Sequence, residues 1–173
     1  MKVLIVVDMQ NDFIDGALGT KEAAAIVENV KDKIHQYKME NHLVLFTRDT
    51  HESDYLKTRE GKYLPVVHCI RGSKGWQIKD GLTVQEDMIV DKPTFGSFDL
   101  VDQIRAFTKE SQIEAIELVG LCTDICVISN AMICKAAFPE VDILVDGKCC
   151  AGVTPESHQI ALKAMEMCQI IIL

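Results

Sequence analysis

Basic residues are few and scattered in this 173-residue chain, where 18 Lys and Arg stand against 26 Asp and Glu for a net charge of −8. That balance speaks against a phosphate-tracking surface, so no nucleic-acid partner is expected and the ligand is read as a small molecule. The seven cysteines contain neither a CxxC pair nor a zinc-finger spacing, and their odd number argues against a disulfide framework. Free thiols point to a reducing compartment. No long apolar run opens the chain: residues 3–7 supply five consecutive apolar side chains before Asp8, too few for a signal peptide or a membrane span. The expected location is the cytoplasm, with no membrane partner. Repeats, linkers and low-complexity segments are also missing, and the length suits one domain over residues 1–173. Apolar residues make up 48% of the chain, enough for a core.

Those apolar residues fall into a regular alternation. Residues 3–7, 43–47, 88–90, 115–119 and 141–145 are short apolar runs rich in Val, Ile and Leu, the pattern of strands buried on both faces, and residues 169–173 close the chain as a sixth. Between them, residues 20–40 carry Ala23, Ile26, Val27, Val30, Ile34 and Tyr37 at helical spacing. Leu100, Val101, Ile104 and Phe107 mark another helix that Ser97 or Asp99 could cap, and Thr154-Pro155 opens a helix to about residue 167. From residue 52 to about 84 the chain is polar and glycine-containing, which predicts one long ordered loop with at most a helical turn. Strand and helix alternating six times predict an α/β, three-layer Rossmann-like fold: a six-stranded, mostly parallel sheet in the order 3-2-1-4-5-6 with helices on both faces.

Such a sheet binds ligands beyond the carboxyl ends of its strands, where strand order reverses. Asp8 ends strand one, Asp49 and His51 follow strand two, Lys92 follows strand three, and Cys126 follows strand four. Cys126 lies in Gly120-Leu121-Cys122-Thr123-Asp124-Ile125-Cys126-Val127, where a strand hands over to a helix. With Thr123 or Asp124 as N-cap, its sulfur falls in the first helical turn, a place that favours a thiolate. The competing reading is a small core cysteine. Nucleophile, carboxylate and ammonium at one sheet edge are together the parts for cysteine acyl transfer. Asp49 and His51 alternate on an extended segment and so point the same way, and His68 can return to them, giving an N/O donor set that suits Zn, Fe or Mn. His35, His42 and His158 are read as solvent-facing, Cys134 and Cys168 as core, Cys149-Cys150 as following a strand, and Trp76 as an anchor of the long loop or a subunit contact.

Three stretches make the whole chain resemble the isochorismatase-like cysteine hydrolase family: Val6-Val7-Asp8-Met9-Gln10-Asn11-Asp12-Phe13, Asp91-Lys92, and the turn at residues 120–127. Thr47-Arg48-Asp49-Thr50-His51 followed by Pro65-Val66-Val67-His68-Cys69-Ile70-Arg71-Gly72 is similar to the metal-binding segment of the nicotinamidase and pyrazinamidase branch. The resemblance implies a triad of Asp8, Lys92 and Cys126, with Asp8 the base, Lys92 the stabilising cation and Cys126 the nucleophile. It implies an oxyanion hole from the backbone N–H groups of Cys122 and Cys126, with a cis bond at Leu121-Cys122. It also implies a divalent ion, zinc first, on Asp49, His51 and His68. Many relatives have a further histidine between His51 and His68; this chain has Glu60 in that stretch as the candidate fourth ligand. Phe13, Phe95 or Phe98, and Leu64 where an aromatic often stands, are the candidate substrate walls. The implied activity is hydrolysis of nicotinamide to nicotinate and ammonia through a thioester, by a homo-oligomer. Two other readings stay open: a metal-free amidase for another small amide or ureide, and a non-catalytic binding protein on the same fold.

Overall fold

A computed structural model describes residues 1–82 and 85–173. Strands β1 (Lys2–Val7), β2 (Leu43–Asp49), β3 (Ile89–Lys92), β4 (Ala115–Leu121), β5 (Asp142–Ala151) and β6 (Ile171–Ile172) form one sheet in the order β3-β2-β1-β4-β5-β6. Each pairing between neighbouring strands is parallel, so the sheet is uniformly rather than mostly so. The helices are α1 (Asn11–Ile14), α2 (Lys21–Ala25), α3 (Val27–Met39), α4 (Arg59–Tyr63), α5 (Phe98–Phe107), α6 (Ile128–Ala137) and α7 (Pro155–Met167). Among the described residues no helix is long and apolar enough to cross a membrane.

β1 shows why the apolar runs are continuous. Successive strand residues point to opposite faces, and both faces are covered. Val3, Ile5 and Val7 pack with Leu100 and Ile104 of α5, Ala131 of α6 and Met165 of α7, whereas Leu4 and Val6 pack with Ala23, Val30, Ile34 and Tyr37. The five apolar side chains of β1, residues 3–7, are fully buried, each stabilising the fold by about 1.5–3 kcal/mol. Glu117, a charge in the middle of β4, is buried and is met by α3: Tyr37 donates to it at 2.5 Å and Lys33 Nζ lies 2.7 Å away.

Several boundaries differ from the pattern reading. The helix expected over residues 20–40 breaks at Ile26, which ends α2 and begins α3; the apolar stripe runs on across the break, so periodicity alone does not reveal it. The long loop contains a 3₁₀ turn at Tyr55–Lys57 and α4, capped by Thr58, whose hydroxyl accepts from Gly61 N–H at 3.0 Å. Its last expected residues, Thr83 and Val84, lie outside the described residues. β5 does not stop at Val145 but continues through Cys149 and Cys150, because a bulge absorbs the polar residues 146–149: Leu118 pairs with Val145 and Gly120 with Cys150. Lys33 Nζ holds Asp146 at 2.9 Å and Asn29 donates to Lys148 O at 2.9 Å, securing that bulge. Cys134 is core, but Cys168 is exposed, since α7 turns Ala161, Leu162 and Met165 inward and ends at Cys168.

At the carboxyl end of the two central strands, Gly120 has φ +114°, and a Cβ there would fall 2.1 Å from the Val7 carbonyl oxygen. Only a residue without a side chain lets β1 and β4 close at this point. Gly120→Ala is expected to lower stability by about 3 kcal/mol or more, read as a fall in the urea midpoint; an unchanged midpoint would mean that the two strands part without cost.

Candidate active site

Three strand ends bring the expected triad together. Asp8 follows β1 with φ +46°, a left-handed conformation that aspartate tolerates better than most residues, and its N–H still reaches Thr47 O at 3.2 Å. Lys92 closes β3 and is fully buried. Its Nζ lies 2.7 Å from Asp8 Oδ2 and 3.5 Å from Asp49 Oδ1, and donates to Thr94 O at 3.1 Å and to Cys126 Sγ at 3.5 Å. Thr47 Oγ1 donates to the other Asp8 oxygen at 2.6 Å. Burial pushes the Asp8 carboxyl up, with Lys92 opposing. Burial also works against the Lys92 ammonium, but Asp8 and its other anionic neighbours outweigh it, and the group stays protonated. The Cys126 thiol is pushed well above its ordinary value by burial and then by Asp8, with Lys92 opposing. Burial thus opposes the thiolate that the helix-end position was expected to favour, and the thiol stands beside the Asp8–Lys92 pair.

The turn that carries Cys126 is also built differently from expectation. Residues Thr123–Val127 form a π-type turn in which Val127 N–H donates to Cys122 O at 3.0 Å, and no side chain caps it. Thr123 and Asp124, the expected caps, are engaged elsewhere: Thr123 Oγ1 lies 2.7 Å from His158 Nδ1, and the Asp124 carboxylate accepts from Val153 N–H at 3.1 Å. The Leu121-Cys122 peptide is cis, as the resemblance implied.

Beside the triad, one donor atom from each of Asp49, His51 and His68 falls within 4.8 Å of the others, all three residues being buried. His68 Nδ1 is 2.7 Å from Val66 O, which makes Nδ1–H the donor and turns Nε2 toward Asp49 Oδ2 at 3.6 Å, the ring orientation of a metal ligand. His51 Nε2 is 3.0 Å from Asp49 Oδ2 but outside hydrogen-bonding geometry, so among the described residues this buried ring nitrogen has no hydrogen-bond partner. Both observations fit a cation among the three. Glu60 Oε1 approaches His51 Nε2 at 3.6 Å and His68 Nε2 at 3.9 Å from the edge of the cluster. Its helix α4 packs so closely that a Cβ on Gly61 would meet Tyr55 O at 2.2 Å.

Cys126 and two of the donor residues, Asp49 and His68, line one cavity of about 220 Å³ together with Cys122 and Glu60, while Lys92 and His51 line the adjoining cleft. Phe13, Leu64 and Phe95 all line the smaller cavity, while Phe98 does not and is largely exposed. Phe13 also meets the His68 ring edge-on at 5.5 Å between centroids. Leu64 and Phe95 lie at the mouth as well, where a larger cleft of about 790 Å³ begins. Trp76 anchors its loop: Arg48 stacks 3.6 Å from the ring, and the indole N–H donates to Thr50 at 2.8 Å. Of the histidines expected at the surface, only His35 is fully there; His42 is half-buried against Tyr37 and His158 against the nucleophile turn.

Four polar residues to which the sequence reading assigned no role hold these groups in place. Thr47 orients Asp8. Gln10, fully buried, accepts from Asp49 N–H at 2.7 Å and donates to Asp49 O at 2.8 Å, clasping the backbone of a candidate metal ligand. Asn130, also fully buried, donates to Cys126 O at 2.8 Å and Phe95 O at 3.1 Å and accepts from Ser97 N–H at 3.0 Å, tying the cysteine's helix to the loop after Lys92. His158 is the fourth. Gln10 and Thr47 lie inside stretches that carry the family resemblance; Asn130 and His158 do not.

Comparison with known proteins agrees with this geometry. The isochorismatase domain family model matches residues 2–173. The nicotinamidase/pyrazinamidase of Mycobacterium tuberculosis is 26% identical, over 98% of this chain and 97% of that protein. A probable inactive nicotinamidase of Arabidopsis thaliana is 28% identical, over 90% of this chain and 83% of that protein. The crystal structure of Pyrococcus horikoshii pyrazinamidase in complex with zinc superposes with a TM-score of 0.85 at 27% identity, covering 99% of this chain and 98% of that one. With a full-length family match and a parallel sheet that brings a cysteine and an aspartate within reach of one buried lysine, the chain belongs to the isochorismatase family, as a nicotinamidase- and pyrazinamidase-like hydrolase.

Proposed function

We propose that the protein is a cytoplasmic, metal-dependent nicotinamidase that converts nicotinamide to nicotinate and ammonia. The observation that carries this reading is that one small, largely apolar cavity has the Cys126 thiol on one wall and the Asp49 and His68 donor atoms on another. An aromatic amide fits that division, with its carboxamide at Cys126 and its ring between Phe13, Leu64 and Phe95. A divalent ion held by Asp49, His51 and His68, with Glu60 at its edge, would supply a Lewis-acid anchor for the pyridine nitrogen; zinc suits the donor set, as Fe or Mn would.

The chain's own residues perform the chemistry. Asp8 takes the thiol proton as Cys126 attacks the amide carbonyl, and the backbone N–H groups of Cys122 and Cys126 receive the developing oxyanion. Asp8 returns the proton to the leaving nitrogen, ammonia departs, and a thioester remains on Cys126. Asp8 then activates the water that releases the acid. Lys92 keeps Asp8 oriented and offsets the negative charge through both halves of the cycle. Leu64, in place of a ring-stacking aromatic, favours a second reading in which the substrate is a different small amide or a ureide handled without metal.

Ammonia release from nicotinamide by protein purified without chelator, with bound metal counted on the same sample, separates these readings. Turnover that falls with EDTA and returns with zinc is expected; metal-free protein that ignores nicotinamide would overturn the assignment. Asp49→Asn and His68→Ala are each expected to lower bound metal and turnover together, and retention of full metal content in both would remove these residues from the ligand set. Cys126→Ala is expected to lower kcat by about 10⁴-fold or more with the circular dichroism spectrum unchanged, and turnover near wild type would sink the triad.

A further inference from the structure

The turn that presents Cys126 lacks the device that usually holds such a turn. No side chain caps residues Thr123–Val127. The two side chains able to do so face the corner between β5 and α7 instead. Thr123, fully buried, directs its hydroxyl to His158 Nδ1 at 2.7 Å, and Asp124 accepts from the backbone N–H of Val153 at 3.1 and 3.2 Å. His158 is itself held tightly from behind: a Cβ on Gly152 would stand 2.9 Å from His158 Cα and Cβ. Gly152 and Val153 line the cavity together with Cys122 and Cys126, so these bonds stitch one cavity wall to the other.

From this arrangement we propose that His158 is a positioning residue, which through the Thr123 hydroxyl fixes the turn that presents the Cys126 thiol and the backbone N–H groups of Cys122 and Cys126. The inference rests on the reading of Cys126 as nucleophile. Two features separate the contact from ordinary packing. It joins a side chain of α7 to the turn at a sequence separation of 35 residues, and it takes up the hydroxyl that would otherwise be free to cap the turn locally. Without it, Thr123 has a local alternative, and a shift of about 1 Å at the nucleophile is enough to cost up to about 100-fold in rate.

The test compares wild type with His158→Leu, His158→Asn, Thr123→Val and the double variant His158→Leu/Thr123→Val, using nicotinamide turnover and the rate at which iodoacetamide alkylates Cys126, followed by mass spectrometry. Asparagine keeps a polar atom near the place of Nδ1 and leucine does not. His158→Leu and Thr123→Val are each expected to lower kcat by about 10- to 100-fold with KM within about 2-fold of wild type. Both should slow Cys126 alkylation, His158→Asn should recover most of the loss, and the double variant should be no worse than the worse single one. Wild-type kcat and alkylation rate in His158→Leu would overturn the proposal, as would equal losses in the Leu and Asn variants. Should His158→Leu not fold, the Asn and Thr123→Val variants decide it in the same way. If wild type itself releases no ammonia from nicotinamide, the substrate assignment fails, and the alkylation series still decides the role of His158.

Discussion

The buried ammonium of Lys92 is the interaction on which the rest of the site depends. A lysine with no solvent contact carries a desolvation cost of several kcal/mol unless opposite charge lies within reach. Here Asp8 at 2.7 Å and Asp49 at 3.5 Å supply that charge, and the Thr94 carbonyl takes a further proton donor. Two carboxylates around one ammonium leave a surplus of negative charge on the Asp49 side, which is the side where two imidazoles and Glu60 converge. The same lysine therefore links the thiol end of the cavity to the donor cluster, and neither end is electrostatically independent of the other.

That linkage requires four strand ends to finish at one level, and the sheet provides it. Because β1 is central and β4 adjoins it at the reversal of strand order, the residue after β1 and the turn after β4 face each other across the switch point. Gly120 lets the two strands stay in contact up to that level. Asn130 and Gln10 then tie the loops after β3 and β1 to the cysteine's helix and to Asp49. The geometry is thus set by buried hydrogen bonds between elements far apart in sequence, rather than by the loops that carry the reacting groups.

Sequence position shows how much of this was legible. Strands buried on both faces read directly as apolar runs, and the charged residues at three strand ends, with a cysteine at a fourth, were conspicuous because such runs seldom finish that way together. Thr47, Asn130 and His158 gave no such signal: a threonine in a strand, an asparagine in a helix and a histidine near a helix start all match solvent-facing or capping residues. Their roles come from partners 39, 35 and 35 residues away. The bulge in β5 was hidden likewise, since the apolar run stops at Val145 and only the contacts of Lys33 and Asn29 show Asp146 and Lys148 held against the sheet.

The misread turn is the most instructive difference, because local rules give way there to the demands of the site. An N-capped helix start would have favoured a thiolate at Cys126 and a permanent anion in an apolar cavity already holding two carboxylates. The π-type turn, tied to α7 through Thr123 and His158, carries instead a buried thiol beside Asp8, and both burial and Asp8 push its proton affinity up. Under the proposed function, attack then only relocates charge: the proton passes to Asp8 as negative charge appears on the carbonyl oxygen, and Lys92 faces an unchanged total. In a site this dry, a step that conserves local charge avoids the desolvation penalty that creating a new ion would bring.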